Sequence, residues 1–151
     1  MVDADALRYE IVDTLGLDVY RPFENNAQRK DERYLIGEEA ILSIAGALIG
    51  EFLKGLIDPQ SLGEMTRAKL LVLNERFKSR SILESFFADS ELTSLLHAAE
   101  EPVSHASSAQ LQQAEETLTA SLRQFGLDET TAKNKAGDIR SSIVASLRAP
   151  G

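Results

Sequence analysis

The 151 residues carry 24 acids against 16 bases, a formal charge of −8, with no cysteine and only 6% aromatic side chains. That length suits one domain, or a main domain with a small appendage, and 43% apolar residues suffice for a core filled by aliphatic side chains. The lack of cysteine excludes a disulfide framework, zinc–thiolate and iron–sulfur sites, and thiol nucleophiles.

The negative charge is unevenly placed. From Ser107 onward acids and bases cancel, 5 against 5, so the excess sits in residues 1–106 as 19 acids against 11 bases. General affinity for nucleic acid is disfavoured by that balance. One run opposes it: Arg67, Lys69, Arg76, Lys78 and Arg80 face only Glu75. A run of this kind is either a solvated helix face or a site for an acidic partner. The opening "MVDADALRYE" has acids where a secretory signal needs bases and an apolar run. No uninterrupted apolar stretch approaches the roughly 18–20 residues of a spanning helix. The expected setting is cytoplasmic.

Helix signals dominate in chain order. "DADALRYEIVDTLG" offers Asp3 as a cap, Ala4, Leu7, Ile11 and Leu15 as one stripe, and Gly16 as a stop. "LDVYRPFENN" reads as a loop tucking Val19, Tyr20 and Phe23 beneath the bundle, since Pro22 interrupts any strand and Asn25-Asn26 marks a turn. "AQRKDERYL" reads as an exposed helix that softens at Gly37 before the apolar segment Ile41–Ile57. Asp58-Pro59 closes that segment, and Ser61 to Glu64 has the spacing of a capping box. The next helix carries Leu62, Thr66, Leu70, Leu73 and Phe77 on its stripe, with Met65 and Val72 beside it.

A second capping-box spacing runs from Ser81 to Glu84, ahead of Ile82, Leu83, Phe86 and Phe87. A break is expected at Asp89-Ser90, then Leu92, Leu95, Leu96 and Ala99 resume the helix. "EEPVSHASS" has the composition of a linker, with Pro102, three serines and no periodicity. Beyond it, Leu111, Ala114, Leu118, Leu122 and Phe125 form one stripe and Ala132, Ala136, Ile139, Ile143 and Leu147 another. A glycine stop at Gly126-Leu127 and a fresh cap at Asp128 join them into an antiparallel hairpin.

The apolar segment "ILSIAGALIGEFLKGLI" is the most unusual part of the chain. On a helical wheel Ile41, Ala45, Leu48, Ile49, Phe52 and Leu56 share one face, opposite Glu39, Ser43, Gly46, Ala47, Gly50, Glu51 and Lys54. A face that broad belongs to a helix surrounded on most sides. Glycines four apart around Ala47 let another backbone approach closely. Three readings follow: a central bundle helix crossed tightly by a neighbour, an interface through Ser43, Gly46, Ala47 and Gly50, or a membrane-active segment. Glu39, Glu51 and Lys54 oppose insertion, at about 2.5–3.5 kcal/mol each near a bilayer centre.

Catalytic signals are sparse. His97 and Glu101 have i, i+4 spacing, which could present two metal ligands, but a surface pair near a helix end is the simpler reading. Glu38-Glu39 diverge on a helix, and their ordinary role is favourable charge at its start. No Walker loop, dinucleotide fingerprint, nucleophile elbow or His-Glu-x-x-His motif occurs.

These observations predict an all-α bundle of about five to seven helices. Residues 1–100 make an acidic bundle around a central apolar helix, 101–108 a linker, and 109–151 a C-terminal antiparallel hairpin. The expected function is non-enzymatic: a protein–protein interaction module acting as adaptor, subunit or inhibitory partner. Its acidic first half would meet a basic surface, and a second copy of the chain is one candidate partner. Interface candidates are Ser43, Gly46, Ala47, Gly50, Arg67, Lys69, Arg76, Lys78 and Arg80. No catalytic residue, metal ligand or cofactor is assigned. The alternatives are a membrane-active protein that conceals 41–57, and a helical enzyme or small-molecule binder with a pocket in the bundle core.

Overall fold

The computed structural model describes residues 3–16, 38–79, 87–124 and 126–148. Among them lie six α-helices and no strand: α1 Ala4–Leu15, α2 Glu38–Leu53, α3 Glu64–Ser79, α4 Asp89–His105, α5 Ser108–Gln124 and α6 Glu129–Arg148. The all-α bundle expected from the sequence is the fold. The loop and exposed helix expected over 17–37, the Ser81–Glu84 capping box with Ile82, Leu83 and Phe86, and the apolar end of α5 at Phe125 lie outside the described residues.

Helix α2 is the hub. Ile44, Ala45, Ala47, Leu48, Ile49, Phe52 and Leu53 are all fully buried, because α2 packs against each of the other five helices. Each fully covered Leu, Ile or Phe side chain contributes about 1.5–3 kcal/mol relative to exposure. The helix ends at Leu53, before the apolar sequence does. Lys54 to Leu56 form a turn held by the N–H groups of Leu56 and Ile57, which both donate to the Leu53 carbonyl (2.9 and 3.2 Å). Ile57 returns to the core.

The helix starts are set by local polar chemistry. Asp3 accepts from the N–H groups of Asp5 and Ala6 (3.0 and 3.3 Å), and α1 stops at Gly16, whose φ of 76° suits a residue without a side chain. The expected Ser61–Glu64 capping box does not form. Asp58 captures the Gln60 N–H instead (3.0 Å), Pro59 opens a 3-10 turn, and the Ser61 hydroxyl donates back to the Asp58 carbonyl (2.7 Å). With Ser61 so occupied, α3 begins at Glu64, where the Arg67 N–H donates to the Gly63 carbonyl (2.9 Å). At the expected break, α4 starts on Ala88, whose N–H donates to the Glu91 side chain (2.8 Å).

Of the residues expected as a linker, 101–108, those through His105 are helical. Pro102 sits inside α4, and its missing N–H and ring clash cost about 3 kcal/mol in a helix interior. Two contacts offset this. Val103 extends the buried stripe of Leu92, Leu95, Leu96 and Ala99 beyond the proline, and its carbonyl accepts from Arg148 Nη2 (2.9 Å) in the last turn of α6. Only Ala106 and Ser107 then separate α4 from α5. Ser107 and Gln110 form the reciprocal capping box that opens α5: the Ser107 N–H donates to Gln110 Oε1 (2.8 Å) and the Gln110 N–H to Ser107 Oγ (3.2 Å).

The C-terminal hairpin follows the sequence closely. Leu111, Ala114, Leu118 and Leu122 are buried along α5, and Ala132, Ala136, Ile139, Ile143 and Leu147 along α6. Gly126 turns the chain at φ 103°, and Asp128 accepts from the Thr131 N–H (2.7 Å). The hairpin is packed into the bundle: α5 lies on α2 and α3, and α6 on α1, α2 and α4. Lys135 Nζ donates to the Thr14 carbonyl at the end of α1 (2.8 Å), a favourable place for a cation at a helix C-terminus.

Replacing Pro102 by alanine restores a backbone donor and removes the ring clash. Pro102→Ala should raise stability by about 1–3 kcal/mol, read as a higher urea midpoint at unchanged slope. A lower midpoint would mean that the proline suits this site better than a helix former does.

Candidate functional site

The small-residue strip of α2 faces inward. Gly46, Ala47 and Gly50, expected as interface residues, are buried in the bundle, and the neighbours of the two glycines are the chain's own side chains. The side chain of Ser43 lies outside the described ones. The two glycines differ. A β-carbon at Gly46 would meet Arg8 Cδ and Leu92 Cδ2 at 3.7 Å, ordinary contact distance, whereas one at Gly50 would meet Leu73 Cδ1 and Phe87 Cε2 at 2.9 Å. Only Gly50 is required by crowding.

Two charged side chains are buried beside this strip. Arg8 lays its stem over Gly46 and forks its Nη2 to Asp5 on α1 and to Asp89 in the first turn of α4. Burial lowers its proton affinity, but the hydrogen bonds and charges of the two carboxylates outweigh that and hold its pKa above the ordinary value. Glu51, 1% exposed, takes Lys54 Nζ at 2.5 Å on Oε1. Its Oε2, like Arg8 Nε, has no hydrogen-bond partner among the described residues. Arg8 fastens α1 to α4, and Lys54 pairs with the one carboxylate buried among the described residues.

Surface chemistry gathers instead on α3. Thr66, Leu70 and Leu73 are buried against the bundle, and the opposite face exposes Met65 (70%), Ala68, Leu71 (61%) and Val72 (39%). These residues are three and four apart, so they make a second apolar stripe turned outward. Arg67 and Lys69, two of the interface candidates, flank it. Arg67 Nη1 donates to Gln60 Oε1 (3.3 Å), and Lys69 Nζ pairs with Glu91 Oε1 (2.6 Å), linking α3 to α4. Burial raises the Glu91 pKa, but the Lys69 ammonium and the Ala88 N–H together hold it below the usual carboxylate value. That contribution to stability is present above the unfolded pKa and lost as pH falls through the folded one. The side chains of Arg76 and Lys78, and the whole of Arg80, lie outside what is described.

Met65 and Val72, expected beside the inner stripe, point outward with Leu71. The spacing Met65-Ala68-Leu71/Val72 was the available signal for an outer face. A different kind of site lies along α4. His97, Glu101 and His105 line one side of an open groove of about 790 Å³, with Asp58, Ser61 and Leu62 opposite. His97 Nδ1 is 3.6 Å from Glu100 Oε2, its i+3 neighbour, and no three metal-ligating side chains converge among the described residues. The groove is a surface feature between α4 and the 58–63 connection, outside the bundle core.

Opposite outcomes are expected at the two glycines. Gly46→Ala should gain stability, up to about 1 kcal/mol from helix propensity, while Gly50→Ala should lose about 1–2 kcal/mol to overpacking. Urea unfolding of both variants checks this, and a gain at Gly50 would show that Phe87 and Leu73 yield without strain.

No protein-family model, curated protein or solved structure matches this chain, so what the α3 surface does is read from its own chemistry.

Proposed function

We propose that this protein is a non-enzymatic helical interaction module, an adaptor, subunit or inhibitory partner, that docks through the outer face of α3. The observation that carries this reading is the stripe Met65, Ala68, Leu71 and Val72. It places three of the four exposed large apolar side chains among the described residues on one helix face. Scattered exposed apolar residues need no explanation, but a contiguous group rimmed by charge has the composition of an interface core with a polar rim. Methionine at its edge adds an adaptable, polarizable contact. Buried partners on the inner side of α3 hold the stripe in place, so a partner would meet a largely pre-formed helix.

The membrane-active alternative finds less support. No helix among the described residues is long and apolar enough to cross a membrane, and the apolar helix α2 is enclosed by five others. Exposing it would require dismantling the bundle.

The test is site-specific photo-crosslinking in the cells that make the protein. A photoreactive residue at Leu71 or Val72 should give discrete protein adducts, and one at Ser104, exposed on α4, should not. Adducts absent from α3, or equal at both places, would overturn the α3 assignment.

A further inference from the structure

The fourth exposed large apolar side chain among the described residues is Tyr9 on α1, 46% exposed. Asp5 and Asp13 bracket it at i−4 and i+4, both exposed, with Ala6 and Glu10 exposed alongside. So the exposed apolar surface divides between two helices of opposite charge setting. Tyr9 lies among three acids on α1. Met65, Leu71 and Val72 lie beside Arg67 and Lys69 on α3, in a run that continues in sequence to Arg76, Lys78 and Arg80, with Glu64 and Glu75 also on the helix.

We infer that the partner for the α3 face is a second copy of this chain, which seats α1 and its Tyr9 on that face; this rests on the docking role proposed for α3. The shapes fit side by side. On a helix surface a protruding side chain enters the hole made by residues i, i+3, i+4 and i+7 of its neighbour. Met65, Ala68, Lys69 and Val72 make such a hole, with the small Ala68 as its floor and a cation on its rim. A tyrosine ring filling it buries apolar area while leaving its hydroxyl at the edge. Asp5 is held by Arg8 and Lys69 by Glu91, so the complementary charges are Glu10 and Asp13 on α1 against Arg67 on α3, and their attraction selects the pairing even though two chains of charge −8 repel at long range.

Helix α1 packs on α2, α4 and α6, and α3 on α2, α4 and α5. Seating α1 of one copy on α3 of another closes either as a reciprocal two-fold pair, in which each α1 meets the other copy's α3, or head to tail as a ring or an open chain. A single helix-on-helix contact is small, which places the association in the weak range.

Sedimentation equilibrium of the full chain from about 10 µM to about 1 mM tests this. The weight-average mass should climb steadily above that of the monomer. Val72→Glu, and Tyr9→Asp separately, should weaken association about tenfold or more. Charge reversal gives the decisive arm. Glu10→Lys with Asp13→Lys on α1 should stop association, as should Arg67→Glu on α3, since each puts like charges together. Mixing the two reversed proteins should restore it, because every α1–α3 contact between unlike molecules is again complementary, and recovery shows that both are folded. A wild-type chain that stays monomeric throughout, or a mixture that fails to recover, overturns self-association. In that case α3 crosslinks to other proteins would leave the docking face standing, whereas their absence would remove both.

Discussion

Helix α2 dictates its own surroundings, because a helix apolar over most of its circumference has to be covered over most of it. Seven of its side chains from Ile44 to Leu53 are wholly removed from water, and no single partner helix could achieve that. The chain answers with five helices, each touching α2, so the rest of the fold is a casing whose members need only one apolar stripe each. The amphipathic character of α1, α4, α5 and α6 follows from that division. Their outer faces carry acids and polar residues, and the buried stretch of the hub from Ile44 to Leu53 carries almost none. Glu51 is the exception, and Lys54 one turn later supplies its counter-charge.

The casing is held in register by a few long polar side chains acting between helices. Arg8 joins α1 to α4, Lys135 joins α6 to the end of α1, Arg148 joins α6 to α4, and Arg140 joins α6 to Glu115 on α5 at 3.0 Å. Such ties contribute little individually when they lie near solvent. Their value here is positional, since apolar stripes slide along one another more readily than forked hydrogen bonds do. Arg8 shows this best: its stem fills the space over Gly46 while its guanidinium fixes the first turn of α4.

What the sequence makes legible is local and periodic. Asp3, Gly16, Gly126 and Asp128 act through neighbours within four residues, so their roles are readable from spacing alone, as are the stripes of α1, α5 and α6. Competition between equally local signals is harder. Ser61 and Ser107 both stand three residues before a Glu or Gln, yet only Ser107 caps, because Asp58 and Pro59 claim Ser61 first. Pro102 is misleading for the opposite reason. Its local penalty is set against the burial of Val103 and a bond from Arg148, 45 residues away in α6. The glycine pair is legible as a close approach but not as an asymmetric one, since that depends on Phe87 and Leu73 reaching Gly50 while only ordinary contacts reach Gly46. The outer stripe of α3 is written in the sequence, but it is masked by the stronger inner stripe on the same helix.

A casing built around a hub leaves its least committed helix available for other work. Helix α3 packs on α2, α4 and α5, yet it keeps Met65, Leu71 and Val72 on its outer face. That surplus is intelligible only if the hub is already satisfied without it. Helix α2 is therefore the last element to lose its cover. Native-state hydrogen exchange tests it directly. The amides of Ile44 to Leu53 should exchange only through global unfolding, with a protection free energy equal to the stability from urea denaturation. Exchange of those amides through local openings, at a lower free energy than the amides of α5 and α6, would contradict it.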